Sequence, residues 1–562
     1  MYTNARNVQI VISLLKAHNI TKLVLSPGGT NAPFVRGVQD DKSFKCYSVV
    51  DERSAAYFAI GLYLETGEPI ALCCTSAQAT RNYLPGLTEA FYKHSPILAI
   101  TFSKHPRFTY QDYMQAPDQT SLPKDSVKAT FSLPYISDDN DRIFCERLVN
   151  EALMNLTYPV PGPIQLNVPM LDSELSCYES SILPKAKSIF NVGKQELSNL
   201  DVFEKKILIV VGENRGINDH ALIDFVERHN AAIYVNHLSN MRNRFTVHGN
   251  SLLAFTNQSY FDENLCPEIL ITVGGQTGDY SLFNKLSKTT QIYEHWLFSI
   301  EGKVTDTYDH LTKVINVCSE DFFQVMSDKQ CCENQYFTDW KNASSAIVVD
   351  EDVPLSNIYI AQQLHNIIPQ HSIVNFSILN SLRVWNYFQF KNDVRCFCNV
   401  AAFGIDGCMS TFLGQSVETD KLCFLIIGDL SFYYDMNSLG IRHVKNNVRI
   451  LLINNNGGME FKLGEDQKQN NHTDMYVAAS GHFRNTEGWA KTNDFQYISA
   501  HSKEDVRANL TLLTSNSSSP IIMEVFVKDT DENDAYLALL RANDHRSIFL
   551  KTASRIKHSI FK

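Results

Sequence analysis

The sequence predicts an α/β protein made of three doubly wound domains, and three observations carry that reading. Short apolar runs recur along the chain, each ending in a loop rich in Gly, Ser, Asn or Asp. Helical patterns lie between these runs, as expected for buried parallel strands joined by helices. The length of 562 residues suits roughly three to four domains.

The first domain is expected over residues 1–180. The segment MYTNARNVQIVISLLKAHNI reads as the first helix, since Gln9, Ser13 and Lys16 interrupt its apolar residues too often for a signal-peptide core. Strands follow at Lys22–Leu25, Tyr47–Val50, Ile70–Cys74, Ile97–Thr101 and Ile164–Val168, with helices over Ser54–Glu65 and Ala79–Tyr92. In such a sheet the loops that end the strands lie along one edge, and ligands bind there.

The second domain, expected over 190–345, has strands at Ile207–Val211 and Ile269–Val273. The latter runs into Gly274-Gly275-Gln276-Thr277-Gly278. That order is not GxGxxG and no partner acid is evident, so a structural domain is expected, without FAD or another nucleotide. Glu333–Pro354 reads as a linker.

The third domain, 355–562, has strands at Ser372–Phe376, Leu422–Ile427, Val448–Ile453 and Ile521–Val527, and a closing helix over Ala535–Ala542. Arg449 alone interrupts the apolar run from Val448.

Composition narrows the function. The chain is 44% hydrophobic and 20% charged, with a formal charge of −11 and no basic block, which argues against nucleic acid or an anionic membrane as the main partner. No apolar run approaches the roughly 20 residues of a membrane span. Thirteen Cys are scattered, with adjacent pairs at Cys73–Cys74 and Cys331–Cys332 that bridge poorly, so reduced thiols in a cytoplasm are expected.

The most informative stretch is Lys421–Phe461. One strand ends in Gly428-Asp429 and its neighbour in Asn454-Asn455-Asn456-Gly457-Gly458, with Asp429 and Asn455 26 residues apart. A carboxylate (Asp429), an amide oxygen (Asn455) and a backbone carbonyl (Gly457) supply three hard ligands for Mg²⁺, and two phosphate oxygens and a water would complete the octahedron. The helix after Asp429 offers N–H groups to a diphosphate. Read blandly, the same residues are an Asp N-cap and an Asn-Gly turn.

Gly-Asp, about 25 residues, then Asn-Asn resembles the cofactor motif of the thiamine diphosphate (ThDP) enzymes. The form GDLS…NNNGG is similar to one branch, the menaquinone-pathway synthases of 2-succinyl-5-enolpyruvyl-6-hydroxy-3-cyclohexene-1-carboxylate (SEPHCHC). The segment from Asp51 to Thr101 is similar to the same branch. The resemblance implies three ThDP-enzyme domains, which bind the pyrimidine, form the middle and bind the diphosphate. It implies Mg²⁺ on Asp429, Asn455 and Gly457. Glu52 matches the catalytic Glu that hydrogen-bonds N1′ of the aminopyrimidine; taken alone, it reads rather as a helix-capping charge. Cofactor contacts are implied at Ser76, Phe403, Ile405, Gly428, Asp429, Leu430, Ser431 and Asn455, with Ile405 wedged between the cofactor rings. The resemblance also implies a homodimer or tetramer whose active site lies between subunits.

The substrate motifs depart from the branch. Its Ser-Arg-Ser is Gly29-Thr30-Asn31 here, its Arg-Pro is His105-Pro106, and its Asn-Arg-Gly is Asn399-Val400-Ala401. Its Asn-Ser-Met-x-x-Arg is Asn380-Ser381-Leu382-Arg383-Val384-Trp385, with Trp385 where Arg belongs and Arg383 two residues away. Trp385 and Val400 suggest an apolar or stacking surface. Gln115 matches an active-site Gln, or is a solvated loop amide. Glu460, where the branch has an apolar residue, is either an added carboxylate that acts as an acid or binds a hydroxyl or amine, or an outward surface residue.

Arg pairs carboxylates bidentately and is not replaced casually. The expected function is therefore a ThDP- and Mg²⁺-dependent 2-oxo acid decarboxylating carboligase with a changed donor or acceptor. Glu52 activates the cofactor, CO₂ leaves, and the remaining fragment joins an acceptor. The alternatives are the authentic synthase using isochorismate and 2-oxoglutarate, a simple 2-oxo acid decarboxylase, and a non-catalytic ThDP-binding regulatory protein.

Overall fold

A computed structural model describes residues 1–178, 180–214, 219–329, 335–390, 393–464 and 474–544. Cys331–Cys332 and the start of the expected linker at Glu333 lie outside the described residues. The strands are β1 (Lys22–Leu25), β2 (Lys45–Ser48), β3 (Ile70–Cys74), β4 (Ile97–Lys104), β5 (Ala129–Ser132) and β6 (Ile164–Met170) in a first sheet. A second contains β7 (Phe190–Val192), β8 (Ile207–Val211), β9 (Ala232–Val235), β10 (Thr246–His248), β11 (Ile269–Val273), β12 (Glu294–Phe298) and β13 (Leu311–Ile315). The third contains β14 (Ile373–Phe376), β15 (Arg395–Cys398), β16 (Cys423–Gly428), β17 (Val448–Asn454), β18 (Gln496–Ala500) and β19 (Ile521–Phe526). The three parallel sheets have six, seven and six strands. The chain divides into two compact units, 1–200 with 294–318, and 201–293 with 319–562.

The first sheet runs β2-β1-β3-β4-β6-β5 and the third β15-β14-β16-β17-β19-β18. In the first, the chain leaves β1 for β2 on one side and returns to β3 on the other. In the third it leaves β14 for β15 and returns to β16. Each reversal opens a crevice at the carboxyl ends of the strands, between the loops after β1 and β3 and between those after β14 and β16.

Both sheets are covered on both faces, which is why their strands read as continuous apolar runs. Along β16 and β17, Phe424, Ile426, Leu451 and Ile453 enter one core. Cys423, Leu425, Ile427, Ile450 and Leu452 enter the opposite one. Arg449 is fully buried in this sheet. Its guanidinium donates to the carbonyls of Leu513 (3.0 Å), Asn446 (2.8 Å), Val448 (2.8 Å) and Ser515 (2.6 Å). It thereby satisfies the carboxyl end of the helix Lys503–Thr514, whose last carbonyls have no partner within the helix.

The structure differs from expectation in a few places. The helix expected over Ala79–Tyr92 is two, Gln78–Asn82 and Leu84–Tyr92, with Pro85 in the first turn of the second. The expected linker contains the helix Tyr336–Ser345, because Tyr336, Trp340 and Ala343 recur at helical spacing and are buried. Gly212 and the GGQTG run are a close crossing of two loops: a Cβ on Gly212 would lie 1.8 Å from the carbonyl oxygen of Gly275. Among the described residues no helix is long and apolar enough to cross a membrane.

Two buried histidines give the stability a pH dependence. Burial pushes His295 on β12 down to about 3 and His248 on β10 down to about 4, from an ordinary 6.5. Each stays neutral in the fold and takes up a proton only on unfolding. Below pH 6.5 the unfolded chain binds more protons, so stability falls with pH, by about 1.4 kcal/mol per pH unit for each histidine. Melting scans should show the apparent Tm dropping between pH 6.5 and 5, and His295→Gln should flatten that slope.

Candidate active site

In the first unit the site elements lie on the loops after β1, β2 and β3. Asp51 is the N-cap of the helix Glu52–Thr66, its Oδ1 accepting the Ser54 N–H at 2.8 Å. Asp51 therefore does the capping, and the Glu52 carboxylate is left for another use. Asn82 Nδ2 donates to Glu52 Oε2 at 3.2 Å. The buried stripe of this helix is Ala55, Ala56, Ala59 and Ile60. On its other side Tyr57, Phe58 and Leu64 are 47%, 42% and 68% exposed.

Thr30, Asn31 and Ser76 are buried. The Thr30 N–H donates to Thr75 Oγ1 (3.2 Å), and the Thr30 and Ser76 hydroxyls are 3.4 Å apart. Asn31 Nδ2 donates to the Ser26 carbonyl at 2.9 Å. These residues tie the β1 and β3 loops together, at the carboxyl ends of their strands where Thr30 and Asn31 are expected to meet substrate. His105 is half-buried and turns inward on its own loop, its Nδ1 accepting the Arg107 N–H at 3.2 Å.

Ala77 has φ +68° and ψ −117°, a conformation that costs a residue with a Cβ roughly 1–3 kcal/mol. Its N–H donates to Gln119 Oε1 at 2.8 Å. Gln119 is buried and donates in turn to the Phe102 carbonyl (3.1 Å) and Asn167 Oδ1 (3.0 Å). Gln115, the Gln picked out in the sequence, is exposed. Nothing local separates the two amides in QAPDQ; their burial depends on β4 and β6.

In the second unit Asp429 begins a short helix, Asp429–Asp435, at the end of β16. Its side chain is buried, which pushes its pKa up, against the hydrogen bonds it accepts. Oδ1 accepts the Leu430 N–H (2.7 Å), and Oδ2 meets the Gly457 N–H (3.0 Å) and His482 Nε2 (2.9 Å). Asn455 Oδ1 is buried and has no hydrogen-bond partner. Gly457 is confined: a Cβ there would lie 2.7 Å from Ser480 Oγ and 2.9 Å from the Ala478 carbonyl oxygen. Gly428, by contrast, faces open space. The Ser431 hydroxyl donates to the Ile405 carbonyl at 2.5 Å and ties the Phe403–Ile405 loop to the same helix. Leu430 and Ile405 are half-buried, and Phe403 meets Tyr280 edge-on at 5.6 Å.

These groups suit a Mg²⁺-bound diphosphate. A carboxylate, an amide oxygen and a backbone carbonyl form the hard-oxygen set Mg²⁺ prefers. The orphaned Asn455 Oδ1 is the acceptor such a cation would satisfy. Among the described residues no group of three His, Cys, Asp or Glu forms a metal site elsewhere. His482 and Glu532 were not found from sequence. His482 lies in an irregular loop 53 residues after Asp429. Glu532 sits in an acidic first helical turn that reads as solvated, yet it is buried, and burial pushes it up to about 7.

Two substrate expectations are corrected. Trp385 is fully buried and donates its Nε1–H to Asn357 Oδ1 at 3.0 Å, with its ring stacked on Phe390. Val400 is buried too. Both belong to the core, because the aromatic cluster behind β14 takes them in. Glu460 is not an outward surface residue: its Oε1 accepts Arg383 Nη2 at 2.7 Å, and its Oε2 is buried without a partner. Arg383 also donates to Asn380 Oδ1 at 3.3 Å. Burial lowers the pKa of Arg383, and the Glu460 carboxylate outweighs that and raises it.

Residues 6–122 match the family described as "Thiamine pyrophosphate enzyme, N-terminal TPP binding domain". The chain is 32% identical over 555 residues to the 2-succinyl-5-enolpyruvyl-6-hydroxy-3-cyclohexene-1-carboxylate synthase of Phocaeicola vulgatus, covering 94% of this chain and 97% of that one. It is 32% identical over 553 residues to the synthase of the same name from Bacteroides thetaiotaomicron, covering 94% and 96%. The Flavobacterium psychrophilum synthase is 29% identical over 567 residues, covering 96% and 98%. Likeness at this level over nearly the whole chain shows that it belongs to the thiamine diphosphate-dependent enzymes, in the family of the SEPHCHC synthases.

Proposed function

We propose that this enzyme is a Mg²⁺- and ThDP-dependent decarboxylating carboligase that joins a fragment of a 2-oxo acid to an acceptor. The observation that carries the reading is the orphaned amide oxygen of Asn455 at the end of β17, whose chain neighbour Gly457 bonds the buried carboxylate of Asp429. Asp429, Asn455 and Gly457 hold the cation and through it the diphosphate. When bound, ThDP would supply the chemistry for decarboxylating the 2-oxo acid, which the side chains alone do not. Glu52 would hold or exchange a proton with the pyrimidine ring of the bound cofactor, a role open to it because Asp51 caps the helix. Ser431 fixes the Ile405 loop against which the cofactor packs.

The substrate differs from that of the named relatives. Arg383, two residues from the position of a carboxylate-binding residue of that family, is already bound to Glu460 and Asn380. An arginine committed to an internal carboxylate offers little to a substrate dianion. This favours a donor smaller than 2-oxoglutarate, such as pyruvate, or an acceptor other than isochorismate. The free Oε2 of Glu460 suits a hydroxyl or amine donor on that molecule. The second reading, the synthase reaction itself, is favoured by the names of the relatives.

Self-association is part of the proposal. Tyr57, Phe58 and Leu64 form an apolar flank on the helix that begins with Glu52, and a second copy of the chain would cover it.

Release of ¹⁴CO₂ from 2-oxo acids labelled at carbon 1, with ThDP and Mg²⁺, tests the reading. Turnover of a small donor, with little from 2-oxoglutarate plus isochorismate, is the expected result. Efficient turnover of that pair would decide for the synthase reaction. No release from any donor, with or without acceptors, would overturn the enzymatic proposal.

A further inference from the structure

We infer that Gln119 is a positioning residue for the Glu52 carboxylate: it holds the strained peptide at Ala77, from which the helix Gln78–Asn82 sets out towards Glu52. The inference rests on the reading of Glu52 as the acid that meets the cofactor.

Ala77 sits at φ +68° and ψ −117°. Glycine adopts that region freely, and a Cβ makes it costly. Such a conformation lasts only where its surroundings over-determine it, and it gathers at functional sites. Here the support is Gln119. Its Oε1 accepts the Ala77 N–H at 2.8 Å, and its Nε2 donates to the Phe102 carbonyl (3.1 Å) and Asn167 Oδ1 (3.0 Å). A backbone carbonyl can only accept and a backbone N–H can only donate, so Phe102 and Ala77 together allow one orientation of this amide. The Gln119 main chain is pinned as well, its carbonyl accepting Gln165 Nε2 at 2.9 Å. Phe102 belongs to β4, and Gln165 and Asn167 to β6, so paired strands of the first sheet are the anchor.

The strained residue matters because a helix starts on it. Ala77 immediately precedes Gln78–Asn82, so its two dihedral angles aim that helix. Asn82 stands roughly 7 Å along it. Relaxing Ala77 by a few tens of degrees would carry Asn82 several ångströms, far more than a hydrogen bond tolerates. Asn82 is what touches the acid: its Nδ2 donates to Glu52 Oε2 at 3.2 Å. With one oxygen held, the plane of the Glu52 carboxylate is set. Arg81, on the same helix, ties it back to the segment that carries Gln119, its Nη2 donating to the Asp118 carbonyl at 3.2 Å. Gln119 thus reaches Glu52 through one peptide and one short helix.

The test joins ¹⁴CO₂ release by the full chain, with ThDP, Mg²⁺ and its best 2-oxo acid, to hydrogen exchange over residues 75–83 without cofactor. Gln119→Met fills similar volume and makes none of the three side-chain bonds. It should lower kcat about 10- to 100-fold, the scale of a small misplacement near a reacting centre. Adding Ala77→Gly should restore most of that loss, because glycine takes the same backbone angles without strain. A merely structural Gln119, needed only by β4 and β6, would gain nothing from Ala77→Gly. Asn82 is exposed, so Asn82→Ala folds even where a core substitution does not. It should cost a comparable amount, and Ala77→Gly should not repair it. Exchange over 75–83 should quicken in Gln119→Met while β4 and β6 stay protected. Full turnover in Gln119→Met or in Asn82→Ala, or a Gln119→Met loss that Ala77→Gly leaves unrepaired, would overturn the inference. Unchanged exchange over 75–83 would overturn the hold on Ala77 whether or not the chain decarboxylates anything. Release of no CO₂ by the unmutated chain would instead overturn the reading of Glu52, and with it the role of Gln119 towards that residue.

Discussion

Glu52→Gln should lower CO₂ release from the best donor by about 10²- to 10⁴-fold, the usual contribution of a positioned acid–base group. The substitution keeps the shape of the side chain and a hydrogen bond with Asn82. It removes only the ability to exchange a proton with the cofactor ring. The helix should be undisturbed, since its first turn is capped by Asp51. The expected result is therefore a large loss of turnover with Mg²⁺ and ThDP affinity, and melting temperature, close to those of the unmutated chain. Those two controls separate loss of chemistry from loss of cofactor or fold. Full turnover in the variant would remove Glu52 from the mechanism.

Arg449→Met should destabilise the third sheet by about 2–4 kcal/mol, an effect built from stranded carbonyls rather than a lost ion pair. All four bonds of this buried guanidinium go to backbone oxygens, two of them at the end of the helix Lys503–Thr514. Methionine fills similar apolar volume and offers no donor. For a domain of this size the apparent melting temperature should drop by roughly 5–12 °C. Arg449→Lys should recover only part of it, because a single ammonium cannot span carbonyls from two segments. A shift of less than 1–2 °C would mean that water replaces the guanidinium.

The same arginine shows what was legible in the sequence. β17 was readable despite Arg449, because five of its seven residues are apolar and strand-forming, but the purpose of the charge was not. Its acceptors lie up to 66 residues away. The strands β1, β3, β8 and β11 fall where the apolar runs place them, since a strand buried on both faces leaves an unbroken signature. β5 went unseen because Ala-Thr-Phe-Ser is a short edge strand with a weak pattern. Around the site, residues attached to glycine- and asparagine-rich strand ends could be found. Gln119, His482 and Glu532 could not, since each reaches its partner from a distant segment. Trp385 was misjudged for a related reason: a missing arginine says what a site has lost, not where the replacing side chain turns.

The helix Glu52–Thr66 carries the acid at one end and the uncovered apolar flank along its side. If burying that flank is what completes the catalytic centre, output depends on how often two chains meet. At low abundance turnover would then rise with the square of enzyme concentration rather than in proportion to it. A cell could throttle this reaction steeply through modest changes in expression, with no dedicated inhibitor. Specific activity measured across a dilution series would reveal that law directly, as a fall towards zero where a fixed monomeric catalyst would stay level.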